Sequence, residues 1–283
     1  MRDAFLHPAE GGHRLYIHHA PAVGSVVRGV VVYVHPWAEE MNKSRRMASL
    51  AARQLAEEGY AVLQVDLLGC GDSSADHGDA SWEAWVRDVR DAADWLTARY
   101  PEAPLWLWGL RAGTLLCQAA AAQMASLPNL LFWQPAQQGK ALLQQFLRLK
   151  AAAQLADGGG KAAMDEVRQA LRTGQVVDVA GYRVSPSLAS GLEVATLAPL
   201  AVTAAATRPT PRLVWFEINP QVELELSPAA LSAAPKWTAA GWRVDLQPVC
   251  GPTFWQTTEI EDAPQLLTAT LARMASVNEA ALA

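Results

Sequence analysis

Residues 105–118 read Leu-Trp-Leu-Trp-Gly-Leu-Arg-Ala-Gly-Thr-Leu-Leu-Cys-Gln. A strand-type apolar run meets Gly109, and a helix-type run begins beyond Gly113. The spacing is that of a nucleophile elbow, G-x-S-x-G, a sharp strand-to-helix turn that lifts one side chain above a sheet. The glycines are needed because such a turn leaves no room for side chains at those two positions. The lifted residue here is Arg111. A guanidinium has no nucleophilic oxygen and stays protonated in proteins. Acyl transfer at an elbow also uses two backbone N–H donors, one from the residue after the elbow residue and one from the loop after the third strand. In this chain they would belong to Ala112 and Trp37, the latter within His35-Pro36-Trp37-Ala38-Glu39-Glu40. The chain thus keeps the frame of an oxyanion site and lacks the serine that would use it.

The surrounding pattern positions this turn. Residues 4–7 and 13–19 suggest a hairpin around Gly11-Gly12. Residues 29–35, Gly-Val-Val-Val-Tyr-Val-His, form a continuous β-branched run of the kind buried on both faces of a parallel sheet. A helix over 42–58, with Met47, Leu50, Ala51 and Leu55 at helical spacing, ends at Gly59. A strand follows at 61–67, then a Gly-rich loop through Ser73, and a helix from Ser81 to about Tyr100. The strand at 105–109, a helix to about Met124 and a strand at 129–134 complete the first part. The rhythm returns with strands at 212–218 and 242–249 and helices near 228–240 and 262–276. Alternation of strand and helix predicts a mostly parallel sheet of about eight strands with helices on both faces. Residues 137–207 break the rhythm with two helical patterns and a short strand-like pair about Gly181. One helical pattern puts Leu142, Phe146, Leu149 and Ala153 on one face. The domain expectation is a core of 1–136 and 208–283 carrying a helical cap at 137–207. The alternative is a helical subdomain that completes the core.

Composition sets limits on function. The chain has 283 residues, 51% of them hydrophobic, and a net charge of −5 without a dense Lys/Arg run. Nucleic-acid binding therefore has no electrostatic footprint. No stretch is long and apolar enough for a membrane span, and the first residues lack the apolar core of a signal peptide. Three cysteines, odd in number and without metal spacing, suit a reducing compartment, so a cytoplasmic protein is expected. No cofactor and no metal site is expected.

An elbow enzyme takes its acid after the strand that follows the elbow half and its histidine base last, in the order Ser, Asp/Glu, His. Glu217, at the end of 212–218, is the acid candidate, or else a structural ion-pair member. The base position lies in Gly251-Pro252-Thr253-Phe254-Trp255, where Phe254 stands in place of histidine. All six histidines lie at or before His77, so none can take that role. Ser73 and Ser74, or in principle the Cys70 thiol near His35, could substitute as nucleophile, but Asp66 to Ser73 has the spacing of a turn. His35 itself is read as scaffolding for its loop.

Taken together, His35-Pro36, the Asp66–Ser73 loop, the Gly109–Gly113 elbow and Gly251 to Trp255 resemble the α/β-hydrolase superfamily over nearly the whole chain. More narrowly, Pro36 to Met47, Leu67-Leu-Gly-Cys-Gly-Asp-Ser73 and Gly-Leu-Arg-Ala-Gly113 resemble the exosortase A system-associated hydrolase 2 family. That resemblance implies an α/β-hydrolase fold with a cap. It also implies a bacterial cytoplasmic accessory protein linked by genomic context to exopolysaccharide production and PEP-CTERM protein sorting. The departures at Arg111 and Phe254 point to a pseudo-hydrolase with a pocket formed by His35, Glu39, Glu40, Arg111, Trp133 and Trp255. Its ligand would be a small acyl-bearing or anionic molecule, or the cap would dock a protein partner. The competing function is a hydrolase or acyltransferase with displaced catalytic residues. Arg111 at a helix N-terminus needs a compensating anion. Glu217 is the first expected partner and Glu39 the second, with Glu40 also in reach; a ligand carboxylate or phosphate is the other source.

Overall fold

The computed structural model describes residues 1–153, 160–202, 209–221 and 224–275. One sheet of eight strands runs through it in the order β1 (Arg2–Ala9), β2 (Gly12–His19), β4 (Tyr60–Val65), β3 (Gly29–Val34), β5 (Leu105–Leu110), β6 (Asn129–Trp133), β9 (Arg212–Asn219) and β10 (Arg243–Cys250). β1 pairs with β2, and β2 with β4, in antiparallel fashion; the remaining neighbours are parallel. Between β6 and β9 lie α4 (Gly139–Ala153), α5 (Gly160–Arg172), the separate hairpin β7 (Val177–Val179) and β8 (Tyr182–Val184), and α6 (Pro186–Val194). The other helices are α1 (Glu39–Glu57), α2 (Trp82–Arg99), α3 (Ala112–Ala121), α7 (Pro228–Ala239) and α8 (Pro264–Ala275).

Every residue of β3 is buried, as its unbroken β-branched run requires. Its side chains alternate between two cores. Val30, Val32 and Val34 belong to the core on the α2 and α3 side, whereas Val31 and Tyr33 belong to the core that α1 and α8 also enter. The same alternation sends Trp106, Trp108 and Trp133 to the α1/α8 side, with Phe254 beside them. Among the described residues no helix is long and apolar enough to cross a membrane.

Two boundaries differ from the expectation in ways that matter. The hairpin is longer, since β1 spans Arg2–Ala9 with Gly11 and Gly12 at positive φ in its turn. Helix α1 starts at Glu39, so Glu39 and Glu40 occupy its first turn and not a loop. Carboxylates belong there because they offset the positive end of the helix.

A buried ion pair ties the antiparallel edge to the helical layer. Arg14 Nε lies 2.8 Å from Asp88 Oδ1, with both side chains 1% exposed. Arg14 also donates to the His13 and Glu10 carbonyls, and Asp88 Oδ2 accepts the Leu68 N–H at 2.8 Å. The thiols are unpaired: Cys70 and Cys117 are buried and Cys250 is partly so. Burial pushes the Cys70 and Cys117 thiols up, so neither supplies a thiolate.

Four histidines are held neutral. Burial, reinforced by Arg99, pushes His18 down to about 4. Burial also lowers His19, His35 and His77. The unfolded chain takes up protons on these imidazoles near pH 6.5, whereas the folded chain resists them. Their contribution is complete above that pH and is lost as pH falls toward the folded values. Buried carboxyls with raised values, Glu40, Asp88 and Asp91, act with the opposite sign, centred on the lower carboxylate range. The expected result is a urea midpoint that drops between pH 7.5 and pH 5.5 at constant ionic strength. An NMR titration in which the His18 imidazole protonates near the free value of about 6.5 rules out the buried-imidazole account.

Candidate functional site

β5 runs into α3 through Arg111, which takes φ 54 and ψ −117. A non-glycine residue at such a φ costs on the order of 1–3 kcal/mol and persists only where its surroundings fix it. Here they do. The Arg111 N–H donates to the Trp133 carbonyl at 3.1 Å, and the Arg111 carbonyl accepts from the Thr114 N–H and from the Thr114 hydroxyl. A Cβ on Gly113 would sit 2.2 Å from the Val34 carbonyl oxygen, and one on Gly109 would sit 2.6 Å from the Thr114 nitrogen. The two glycines are therefore dictated by close packing of the turn on β3 and on the first turn of α3. Ala38, just before α1, has a similar strained backbone at φ 54 and ψ −130. Two helix N-termini, those of α1 and α3, thus start at constrained turns beside the carboxyl ends of neighbouring strands.

The guanidinium pairs with Glu40. Arg111 Nε donates to Glu40 Oε1 at 3.3 Å, with side-chain exposures of 14% and 12%. Gln256 Nε2 donates to the same oxygen at 3.4 Å, and the Trp255 ring lies 5.9 Å from the guanidinium carbon. Burial pushes the Glu40 carboxyl above its ordinary range, and Arg111 opposes that shift. Glu39 Oε2 is buried without a hydrogen-bond partner among the described residues.

Arg111 therefore takes neither of the partners ranked first and second from the sequence. Glu217 is spent elsewhere: its carboxylate accepts the Ser227 N–H at 2.6 Å and the Ser227 hydroxyl at 2.8 Å. Ser227 in turn caps α7, so Glu217 fixes the connection from β9 to that helix. Glu40 replaces it because the earlier start of α1 turns that side chain toward the elbow. Phe254 is fully buried and meets Trp133 and Trp255 edge to face, with centroids at 6.3 Å and 5.1 Å. Trp133 is a core residue and not a pocket wall. Its side chain has no exposure, and its indole N–H donates to Thr270 of α8 at 3.0 Å.

His35 is held within its own loop and by the turn after β4. Its Nδ1–H donates to the Pro36 carbonyl at 2.8 Å, and its Nε2 accepts the Leu67 N–H at 3.4 Å. Cys70 and Ser73 belong to the turn after β4. The Ser73 hydroxyl accepts the Leu15 N–H and donates to the Asp66 carbonyl, and the Cys70 N–H donates to the Leu67 carbonyl. Neither faces Arg111 through a hydrogen bond.

Trp37 and Ala112 are brought together. They line one small cavity of about 60 Å³ with Glu39, Glu40 and, from α4, Leu142, Gln145, Phe146 and Leu149. The Ala112 N–H opens α3 and has no intrahelical acceptor. The Trp37 indole N–H donates to His77 Nε2 at 3.2 Å, and His77 Nδ1–H donates to the Arg183 carbonyl of β8 at 2.8 Å. Trp37 also packs on Phe146, centroids 4.6 Å apart. The volume is well below the ~300–1,000 Å³ of ordinary ligand pockets. Gln256 was not singled out from the sequence, although it directly follows the Phe254-Trp255 pair. No cluster of metal-ligating side chains occurs among the described residues.

Residues 25–176 match the Hydrolase_4 family, described as serine aminopeptidase, S33. The chain belongs to this family. A thermostable carboxyl esterase from Bacillus coagulans is similar in structure (12% identity, TM-score 0.62, 98% of each chain covered). So is a monoglyceride lipase from Saccharomyces cerevisiae (13%, TM-score 0.58, 98% of this chain and 95% of that one). So is Est1E from Butyrivibrio proteoclasticus, solved with ferulic acid (15%, TM-score 0.59, 96% of this chain and 98% of that one). At these identities the likeness is one of fold, and it is the α/β-hydrolase fold. No curated protein matches the chain.

Within an S33 frame, the Arg111–Glu40 pair fills the place above the elbow. Removing one member of a mostly buried pair leaves the other uncompensated. Arg111→Ala is expected to lower stability by about 2–3 kcal/mol, short of a fully buried pair because Gln256 still bonds Glu40. Arg111→Met with Glu40→Gln removes both charges and is expected to recover most of the loss. Chemical denaturation of the wild type, single and double variants checks it; an unchanged Arg111→Ala midpoint removes the pair from the stability account.

Proposed function

We propose that this protein is a non-hydrolytic member of the family, whose small elbow cavity receives only the carbonyl end of an acyl-bearing ligand. The observation that carries the proposal is Arg111 at the elbow, ion-paired to Glu40, in a chain with no histidine after His77. The backbone N–H groups of Trp37 and Ala112, two residues that line the cavity, would receive a carbonyl oxygen, which needs no charge of its own. Glu39 and Glu40 line the cavity and Arg111 does not, so an acyl carbonyl suits it better than a phosphate. Helix α4 acts as its cap, since it supplies four of its walls. A hydrolase or acyltransferase with displaced groups has less support, because Cys70, Ser73 and Glu217 are each held in local structure. From its resemblance to the exosortase A system-associated hydrolase 2 family, the protein takes a role as a bacterial cytoplasmic accessory in exopolysaccharide production and PEP-CTERM sorting. The test is turnover of p-nitrophenyl acetate and butyrate. A rate equal to that of buffer supports the proposal, and clear turnover that Cys70→Ala or Ser73→Ala abolishes overturns it.

A further inference from the structure

A second cavity lies on the other side of α4. Successive helical residues are separated by about 100°. Leu142, Gln145, Phe146 and Leu149 therefore share the face turned to the elbow, and Lys140, Leu143, Gln144 and Leu147 share the opposite one. That opposite face, with α5 and α6, encloses a groove of about 310 Å³. Its floor is apolar: Leu143, Leu147 and Leu171 line it while exposing at most 9% of their surface. Its rim is cationic: Lys140, Arg168 and Arg172 face one lining carboxylate, Glu193. Arg168 lies 3.7 Å from Asp165 on its own helix, an exposed pair of little strength. Lys140 and Arg172 make no hydrogen bond or ion pair among the described residues. Lys140 also stands in the first turn of α4, which holds no acidic residue, so the positive end of that helix adds to the rim. A surplus of positive charge here contrasts with the net −5 of the chain.

We infer that this groove binds an anionic amphiphile, an aliphatic chain of medium length ending in a carboxylate or a phosphate. The apolar floor takes the chain, and the rim takes the head. The volume falls at the small end of ordinary ligand pockets, which favours a single chain over a two-chain lipid. The site is separate from the elbow cavity and does not depend on its chemistry.

Calorimetric titration below micelle-forming concentrations tests this on the full chain. Decanoate and decyl phosphate are compared with decyltrimethylammonium, which carries the same chain and the opposite charge. The wild type is expected to bind one or both anions at least tenfold more tightly than the cation, and the stronger anion identifies the head. Lys140→Glu with Arg172→Glu is expected to reverse that preference. Both positions are exposed, so the fold survives, and a circular-dichroism melt verifies it. Arg111→Ala is expected to leave the affinity unchanged. Equal affinity for cation and anion, absence of binding, or loss on Arg111→Ala instead of on the rim variant overturns the proposal.

Discussion

Arg111→Ser is expected to leave p-nitrophenyl ester hydrolysis where the wild type leaves it, at the rate of buffer. Restoring the hydroxyl does not restore the reaction, because a serine needs a base to take its proton. Loss of either serine or histidine from such a triad costs on the order of 10⁶ in turnover, and removing the second member adds little to that loss. Phe254, at the base position, is an apolar core residue between Trp133 and Trp255. The acid position is filled by Glu217, whose two oxygens are already bonded to Ser227. Arg111→Ser with Phe254→His supplies nucleophile and base together and is the variant expected to rise above buffer. Its rate is expected to stay low, since the orienting carboxylate remains committed to α7 and the cavity is small. Steady-state assays with matched expression and folding controls decide the matter. An active Arg111→Ser single variant would mean that another group, already present, serves as base.

Asp88→Asn is expected to cost about 3–5 kcal/mol, the largest stability loss foreseen for a single isosteric change here. It leaves the Arg14 guanidinium charged and buried opposite a neutral amide. The amide keeps an oxygen for the Leu68 N–H, so the loss reports chiefly on the charge pair. Arg14→Met is expected to be similarly costly, because it strands Asp88 and also frees the carbonyls of His13 and Glu10. Replacing both by apolar residues is expected to be milder than either single change, as buried pairs often prove dispensable once both charges go. A urea double-mutant cycle measures the coupling. A coupling near zero would show that the contact is incidental to the fold.

Much of the architecture was legible because strand and helix periodicities were strong. Val30 to Val34 could hardly be anything but an interior strand, and the Gly109 to Gly113 spacing named the turn that the backbone adopts at Arg111. The Leu142, Phe146 and Leu149 stripe was visible as one helical face, although not as a cavity wall. What escaped was partner choice. Which glutamate meets Arg111 depends on a shift of about one turn in the start of α1, and helix ends are the least determined feature of a periodic pattern. Glu217 looked free because Ser227 is ten residues away and the cap it forms depends on how α7 approaches the sheet. Trp133 looked like a pocket residue because it ends a strand beside the elbow. Strand alternation instead turns its ring to the α8 side, a direction set by the pleat.

The burial of the thiols gives the chain a built-in clock. A maleimide is expected to reach Cys250, partly exposed at the end of β10, in the native protein. Cys70 is sealed within the turn after β4, so its alkylation waits for that turn to loosen. Cys117, with no exposure on the inner side of α3, is alkylated only when that helix leaves the sheet. At maleimide concentrations where labelling outpaces reclosing, their rates count openings and not chemistry. The elbow and the turn beside it can thus be timed separately, in one unmodified molecule, by mass spectrometry.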